Sequence, residues 1–321
     1  ESKVVLLEQN YRSTQTILDA ATAVIDQNRG RTVKELFTER SSGSPLELHE
    51  AYDEEEEARL VVETIATQVQ SEQCSLGDCA IMYRTNAQSR SLEEAFIRVG
   101  IPYRLVGATR FYARREIKDL LAFLRLAHNP RDNVNLARVL NVPPRGIGKK
   151  TAAVFQAAAN EVDESPAELL LVLAEGDSGS THYELLGPRL SRPLAVFGQL
   201  LSGWMQAVRE GQTVAELLQL ILKDTDYQSY IKDGSESGRE RWENVRELLK
   251  VARDFGDTDL NTVLEHFALV ADVDSLDAEQ DDGGAPSLMT LHSAKGLEFP
   301  VVFIVGMNDG VLPHRRSFDD P

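Results

Sequence analysis

The most chemically loaded stretch of the chain is Ser287–His314, SLMTLHSAKGLEFPVVFIVGMNDGVLPH. It gathers an imidazole (His292), a hydroxyl (Ser293), an ammonium (Lys295), a flexible turn residue (Gly296) and a carboxylate (Glu298) into one short polar loop. The flanking runs, Ser287–Leu291 and Val301–Val305, are apolar and β-branched and read as buried strands. Loops at the carboxyl ends of strands line the crevice of an open α/β sheet, so Ser293–Glu298 is placed to meet a phosphate or a nucleic-acid backbone. On spacing alone, an ordinary solvated connection accounts for the loop equally well.

Three further strings carry candidate chemistry. LEQNYRS at Leu7–Ser13 lies between an apolar run, Val4–Leu7, and a helix-like stretch, Thr14–Asn28; Tyr11 offers a flat aromatic face and Arg12 a planar guanidinium. YRTNAQSR at Tyr83–Arg90 closes the strand-like run Cys79–Tyr83 and sets Arg84 and Asn86 just beyond it. VPPRGIGKKT at Val142–Thr151 sits between two predicted helices. Its prolines end the first, Gly146 and Gly148 allow a tight turn with exposed amides, and Lys149, Lys150 and the next helix N-terminus supply positive potential. Arg145 and Thr151 flank that turn. A plain helix–helix turn is the alternative.

The elements that must position these residues fall into two kinds. Strand and helix signals alternate from Lys3 to about Gly107: strands at Val4–Leu7, Leu46–His49, Cys79–Tyr83 and Tyr103–Val106, helices at Thr14–Gln27, Ala58–Val69 and Ser91–Val99. That is the rhythm of a parallel sheet. The acidic run Asp53–Glu57 is read as complementing a helix dipole, in preference to a metal site. From about Phe111 to Val270 only helical patterns follow, the last of them Leu260–Val270, and the strand signal returns at Ser287. Asp272–Gly284 is the one stretch read as loose. The expected architecture is therefore one α/β domain interrupted by an all-helical one, with residues 1–108 and 278–321 in the first and 109–277 in the second. The joints fall near Gly107–Arg114 and Asp272–Gly284.

Composition narrows the function classes. A chain of 321 residues with 42% hydrophobic content fits about two domains. No apolar run reaches the ~18 residues that would span a bilayer, and the expected setting is cytoplasmic, with Cys74 and Cys79 as reduced thiols. A net charge of −17 argues against a generic polyanion binder. Arg84–Lys150, however, holds 14 Lys/Arg against 5 Asp/Glu, a balance of +9 that leaves −26 on the remainder. Such segregation permits local binding of a polyanion. Gly146–Thr151 is not a P-loop, failing its spacing and its Ser/Thr position, and no acidic Mg²⁺ site follows a strand. No acid–base or nucleophile cluster marks a small-molecule enzyme. The start at Glu1, inside a strand signal and without Met, suggests an excised or partial chain.

NYRS, YRTNAQSR and TLHSAKGLEFPVVF resemble motifs IV, IVa and V of superfamily 1 DNA helicases of the UvrD/PcrA/Rep kind, and the resemblance runs the length of the chain. It implies a RecA-like domain 2A interrupted by a helical domain 2B. The Walker lysine and Mg²⁺ ligands would lie in a first RecA-like domain upstream of Glu1, and motif VI beyond Pro321. It further implies an ATP-driven 3′-to-5′ helicase when complete, inactive as this portion alone. Residue by residue, Arg12 would reach the γ-phosphate, Tyr11 would stack on adenine and Glu298 would bond the ribose. Types alone would make Arg12 an exposed arginine paired with a surface carboxylate; the motif is what assigns it. Arg84, Asn86, His292, Ser293, Lys295 and His314 would face single-stranded DNA, and the Gly146–Gly148 turn resembles a helix-hairpin-helix grip on duplex or fork DNA. The alternatives are a DNA-binding module without hydrolysis and the motor of a recombinational-repair helicase–nuclease.

Overall fold

The computed structural model describes residues 5–28, 34–176, 183, 186–276 and 284–313. At its centre is a four-stranded sheet, all parallel, made of β1 (Cys79–Tyr83), β2 (Arg104–Leu105), β3 (Ser287–Thr290) and β4 (Val301–Ile304) in the order β2-β3-β1-β4. The α/β class expected from the strand–helix rhythm is the one observed. β3 follows the long helical run in sequence and yet lies between β1 and β2, so the sheet closes only when the two ends of the chain come together. The register sets Tyr83 beside Thr290 and Met82 beside Ile304. The loops after β1, β3 and β4 therefore emerge from one edge of the sheet, the carboxyl edge.

Two helices cover one face. The first, α2 (Glu54–Gln70), follows α1 (Gln15–Ile25) in the chain and is capped by Asp53, whose side chain accepts from the Glu55 and Glu56 amides; four glutamates fill its first turn. The acidic run thus has the helix-starting role read from the sequence. The second, α3 (Ser89–Val99), stops at Gly100 in a left-handed conformation, φ 72°. Ala58, Val61, Val62 and Ile65 of α2 and Leu92, Ala95 and Phe96 of α3 pack on Cys79, Ile81, Tyr83 and Leu288. On the opposite face, β4 leaves Val302 and Ile304 exposed.

A second, separate core is wholly helical. It is built by α4 (Arg115–His128), α5 (Asn133–Val139), α6 (Lys149–Glu161), α7 (Pro166–Ala174), α8 (Pro188–Arg209), α9 (Val214–Asp224), α10 (Tyr227–Ile231), α11 (Glu236–Asp254) and α12 (Leu260–Leu276). Helix starts are marked in the sequence: Ser165-Pro166 with Glu168, and Thr213 with Glu216, are capping boxes in which hydroxyl and carboxylate satisfy amides reciprocally. Trp204 is fully buried between Phe123 and Phe197, and its indole N–H donates to Asp224 Oδ2 at 2.9 Å. Val245 and Leu248 of α11 are fully buried, and Trp242 and Leu249 pack beside them, as the apolar stripe predicts. Among the described residues no helix is long and apolar enough to cross a membrane.

Three expectations are corrected. Neither Val5–Leu7 nor Leu46–His49 forms a strand; Leu7 and Leu48 are 79% and 93% exposed. An apolar or alternating run becomes a strand only when an edge is free to pair, and among the described residues one isolated bridge, Gln9 with Phe37, is all that forms near them. The last helix continues into the stretch read as loose, as far as Leu276. Residues 277–283 of that stretch lie outside the described residues.

Cys74 and Cys79 are free thiols with sulfurs 3.8 Å apart. Burial, and then the Cys74 thiol beside it, pushes the Cys79 thiol from 9.0 up to about 12. The folded state holds this proton more tightly than the unfolded chain does. Its contribution to stability is therefore complete below about pH 9 and is lost as pH rises through about 12. Cys79→Ala should flatten the alkaline loss of stability over that window, measured by urea denaturation at stepped pH. An unchanged pH slope in the variant would refute this account of the thiol.

Candidate nucleotide and nucleic-acid site

The segment bearing Tyr11 and Arg12 is held by local polar contacts in place of a ladder. Asn10 Oδ1 accepts from the amides of Arg12 and Ser13 at 2.9 and 2.8 Å, a turn that opens α1. Arg40 Nη1 donates to the Arg12 carbonyl at 2.7 Å, and the Thr16 hydroxyl to the Ser42 carbonyl at 2.6 Å. The Arg12 side chain crosses to the other end of the chain: its Nε donates to Glu298 Oε2 at 3.0 Å, with 54% and 71% of the two side chains exposed. Beside it Tyr11 is exposed, its hydroxyl donating to Gln9 Oε1 at 2.7 Å. The structure thus brings together an exposed aromatic face, a guanidinium and a carboxylate. An exposed pair of this kind is worth about 0–1 kcal/mol, too little to trap the arginine.

The carboxyl edge of the sheet brings the second group together. Arg84, just past β1, lies with Nη1 3.3 Å from Nδ1 of His292, just past β3. Ser293 is held by Thr290, whose Oγ1 accepts from the Ser293 amide at 3.2 Å, and the backbone of Gly107 passes close over the Ser293 hydroxyl. Lys295, Gly296 and Glu298 are exposed on the same turn. Asn86 opens a 3₁₀ turn, Asn86–Gln88, at the mouth of a cleft of about 550 Å³ shared with Gly107, Thr109, Arg114 and Asn244. Its Oδ1 has no hydrogen-bond partner among the described residues. His314 lies outside the described residues.

The Gly146–Gly148 turn stands apart, on the helical core. Asn141 Oδ1 accepts from the amides of Arg145 and Ile147, at 2.7 and 3.1 Å, and the buried Ile147 pins the loop. Gly146 takes φ 76°, which favours glycine, and Gly148 caps α6. Lys149 and Lys150 are exposed on the first turn of α6, and Thr151 is half-buried behind them. Arg145 departs from the expected DNA-facing set. Its Nη1 donates to the carbonyls of Val139, Leu140 and Val142, and its guanidinium lies 4.5 Å from the Phe197 ring centroid. Burial draws it down to about 10. It turns inward because the chain leaving α5 presents carbonyls with lone pairs that a guanidinium can satisfy.

Sequence reasoning left Gln88, Ser89 and Arg90 without a role. Gln88 Oε1 accepts from the amides of Arg84 and Thr85 at 3.0 and 2.9 Å. The signal was available, since Thr85-Asn86-Ala87-Gln88 has capping-box spacing. The Gln88 amide lies against Gly306, where an added Cβ would meet its nitrogen at 1.9 Å, and the Gly306 amide donates to Glu57 Oε1 at 2.9 Å. Arg90 is buried and donates to Glu247 Oε1 at 2.7 Å and to Glu94 Oε2 at 2.9 Å. Nothing in the local pattern of a helix start announces a buried arginine whose partner lies 157 positions away.

Comparison with known proteins shows the family. Residues 5–320 match the family model described as the UvrD-like helicase C-terminal domain. The chain is 38% identical over 340 residues to "ATP-dependent DNA helicase UvrD1" of Mycobacterium tuberculosis (strain ATCC 25618 / H37Rv), with 100% of the chain and 43% of the relative covered. It is 38% identical over 324 residues to "ATP-dependent DNA helicase PcrA" of Bacillus subtilis (strain 168), covering 98% and 43%. With "DNA helicase II" of Escherichia coli (strain K12) the identity is 40% over 327 residues, covering 99% and 44%. The chain spans less than half the length of these relatives. It belongs to the UvrD-like helicase C-terminal domain family.

Proposed function

We propose that this chain is the 2A and 2B portion of an ATP-driven 3′-to-5′ DNA helicase. Residues 1–108 and 278–321 form the motor half and residues 109–277 the helical insertion. Two separate hydrophobic cores support that division. The observation that carries the functional reading is the contact between Arg12 and Glu298, which joins residues 286 positions apart in one exposed corner beside Tyr11. In this corner Tyr11 stacks on the adenine, Glu298 accepts from the ribose hydroxyls, and Arg12 leaves Glu298 to meet charge developing on the γ-phosphate. The described residues hold no group of three or more side chains fit for a metal ion. The Walker lysine and the Mg²⁺ ligands belong to a first RecA-like domain, so residues 1–321 alone hydrolyse no ATP.

Single-stranded DNA lies along the carboxyl edge of the sheet, where Arg84, Asn86, His292, Ser293 and Lys295 offer donors to phosphates. Duplex or fork DNA meets the amides of Gly146 and Gly148 and the ammoniums of Lys149 and Lys150, which are exposed together at a helix start. Arg145 supports that turn from beneath and has no part in the contact.

Arg12→Ala in the complete protein should lower ATPase kcat by about 10³-fold or more with DNA affinity in the absence of nucleotide near normal, and Arg12→Lys should restore little. A folded Arg12→Ala protein that hydrolyses ATP at the unmodified rate would remove Arg12 from the site. Replacing Lys149 and Lys150 by Ala should flatten the salt dependence of duplex binding by about one to two units of log–log slope. Arg145→Ala should instead leave the slope alone and cost about 3 kcal/mol of stability in thermal or urea unfolding. A slope insensitive to both lysines would return the turn to a plain helix connection.

A further inference from the structure

Where the two cores meet, the contact is polar and ordered. On α11, Asn244, Glu247 and Lys250 recur at three-residue spacing and face α2, α3 and the start of α4. Asn244 Oδ1 accepts from Arg114 Nη1 at 2.7 Å, while its amide donates to Glu116 Oε1 at 2.6 Å. The same Arg114 donates from Nη2 to Ser89 Oγ at 2.8 Å and from Nε to the Thr109 carbonyl at 3.0 Å. Ser89 Oγ has one proton and two acceptors in reach, Glu93 Oε1 at 2.5 Å and the Asn86 carbonyl at 3.0 Å. One position further along α3, Arg90 reaches Glu247 at 2.7 Å, and Lys250 pairs with Glu54. Every step from α11 to Ser89 is thus a hydrogen bond, the Asn86 carbonyl lies against the Ser89 hydroxyl, and both guanidiniums in the path are more than nine-tenths buried.

We propose that Asn244 and Glu247 are positioning residues for the turn Asn86–Gln88, acting on it from the helical core through Arg114, Ser89 and Arg90. A guanidinium is a rigid plane, so fixing one of its nitrogens on Asn244 fixes the direction of the one that meets Ser89. An apolar contact between the cores would tolerate sliding; this one does not, because a displaced bond strands a buried donor. Asn86, Arg114 and Asn244 also line the same cleft, so a strand held by Asn86 lies over the joint itself. The inference rests on the reading that Arg84 and Asn86 face single-stranded DNA, and adds that the helical core sets how well they do so.

The test is made in the complete protein, with a fluorescein-labelled oligothymidylate about 16 nucleotides long, affinity read by anisotropy and folding by thermal melting. Asn244→Leu keeps the bulk and removes both hydrogen bonds; Glu247→Gln keeps the shape, removes the charge, and carries the same test should Asn244→Leu not fold. Each variant should weaken binding about fivefold or more, and the loss should shrink to about twofold or less when Arg84→Ala and Asn86→Ala are already present. A merely structural role would move the melting temperature and leave that non-additivity out. Unchanged affinity in folded Asn244→Leu or Glu247→Gln protein overturns the coupling, provided that Arg84→Ala/Asn86→Ala weakens binding. A loss that persists in full in the Arg84→Ala/Asn86→Ala background overturns it too. If Arg84→Ala/Asn86→Ala binds normally, the DNA-facing reading itself fails and the coupling falls with it.

Discussion

A guanidinium removed from water must be surrounded by acceptors, and two such groups govern how this molecule is joined. Arg90 and Arg114 are 2% and 7% exposed. Desolvation pulls on both, with different outcomes. For Arg90 it is outweighed by Glu94 and Glu247, and the pKa ends above the ordinary arginine value. For Arg114 it prevails over Glu93, and the pKa ends below. Removing a single partner from such a cluster leaves a buried charge uncompensated, which costs about 3–5 kcal/mol. Arg90 of α3 is thereby tied to Glu247 of α11 and Arg114 to Asn244 of the same helix, and the two cores cannot dock in another register without stranding charge.

The sheet depends on that docking in a second way. β3 completes the sheet between β1 and β2, but the chain reaches it only after leaving through Gly107–Arg114 and building the whole helical core. Its pairing is non-local, and loop-closure entropy has to be offset before it forms. Once β3 is in place, Tyr83 and Thr290 lie side by side, and Arg84 and His292, one and two residues beyond, come within 3.3 Å. Two motifs separated by 208 positions become one surface because a parallel register aligns their strand ends.

The parts of the fold legible in sequence are those set by local chemistry. The acidic run at Asp53 starts a helix as read, and Ser165, Thr213 and Gly100 stand at helix ends with the residue types and spacings that capping chemistry requires. Val5–Leu7 and Leu46–His49 mislead because a strand is a pairing, and no window of sequence shows whether an edge is free. At the site, the residue types of Tyr11, Arg12, Arg84, His292 and Glu298 were readable, and so was the clustering of the last three around strand ends. The partners of Ser89, Arg90 and Arg114 were not. They lie on helices whose mutual placement only tertiary packing decides.

Arginine itself shows why composition could not settle the function. Five arginines in or beside the motifs carry the same formal charge, yet burial divides them. Arg145 is spent on three carbonyls at the end of α5, and Arg90 and Arg114 on carboxylates, amides and hydroxyls across the joint. Each would have to abandon several buried bonds to reach a phosphate, and would leave those acceptors unpaired. Arg12 and Arg84 have one side-chain contact each, at partly or largely exposed positions, and can exchange it for a phosphate oxygen at little cost. Of the 14 basic residues in Arg84–Lys150 only Arg90 and Arg114 are buried, and eight, among them Arg98, Arg115, Arg131 and Lys150, are exposed. Among the partly or largely exposed charges, Arg84 and Lys295 lie at the strand ends and Lys149 and Lys150 on the first turn of α6, and on a chain of net charge −17 such local groups attract a polyanion at defined places while the acidic remainder repels it.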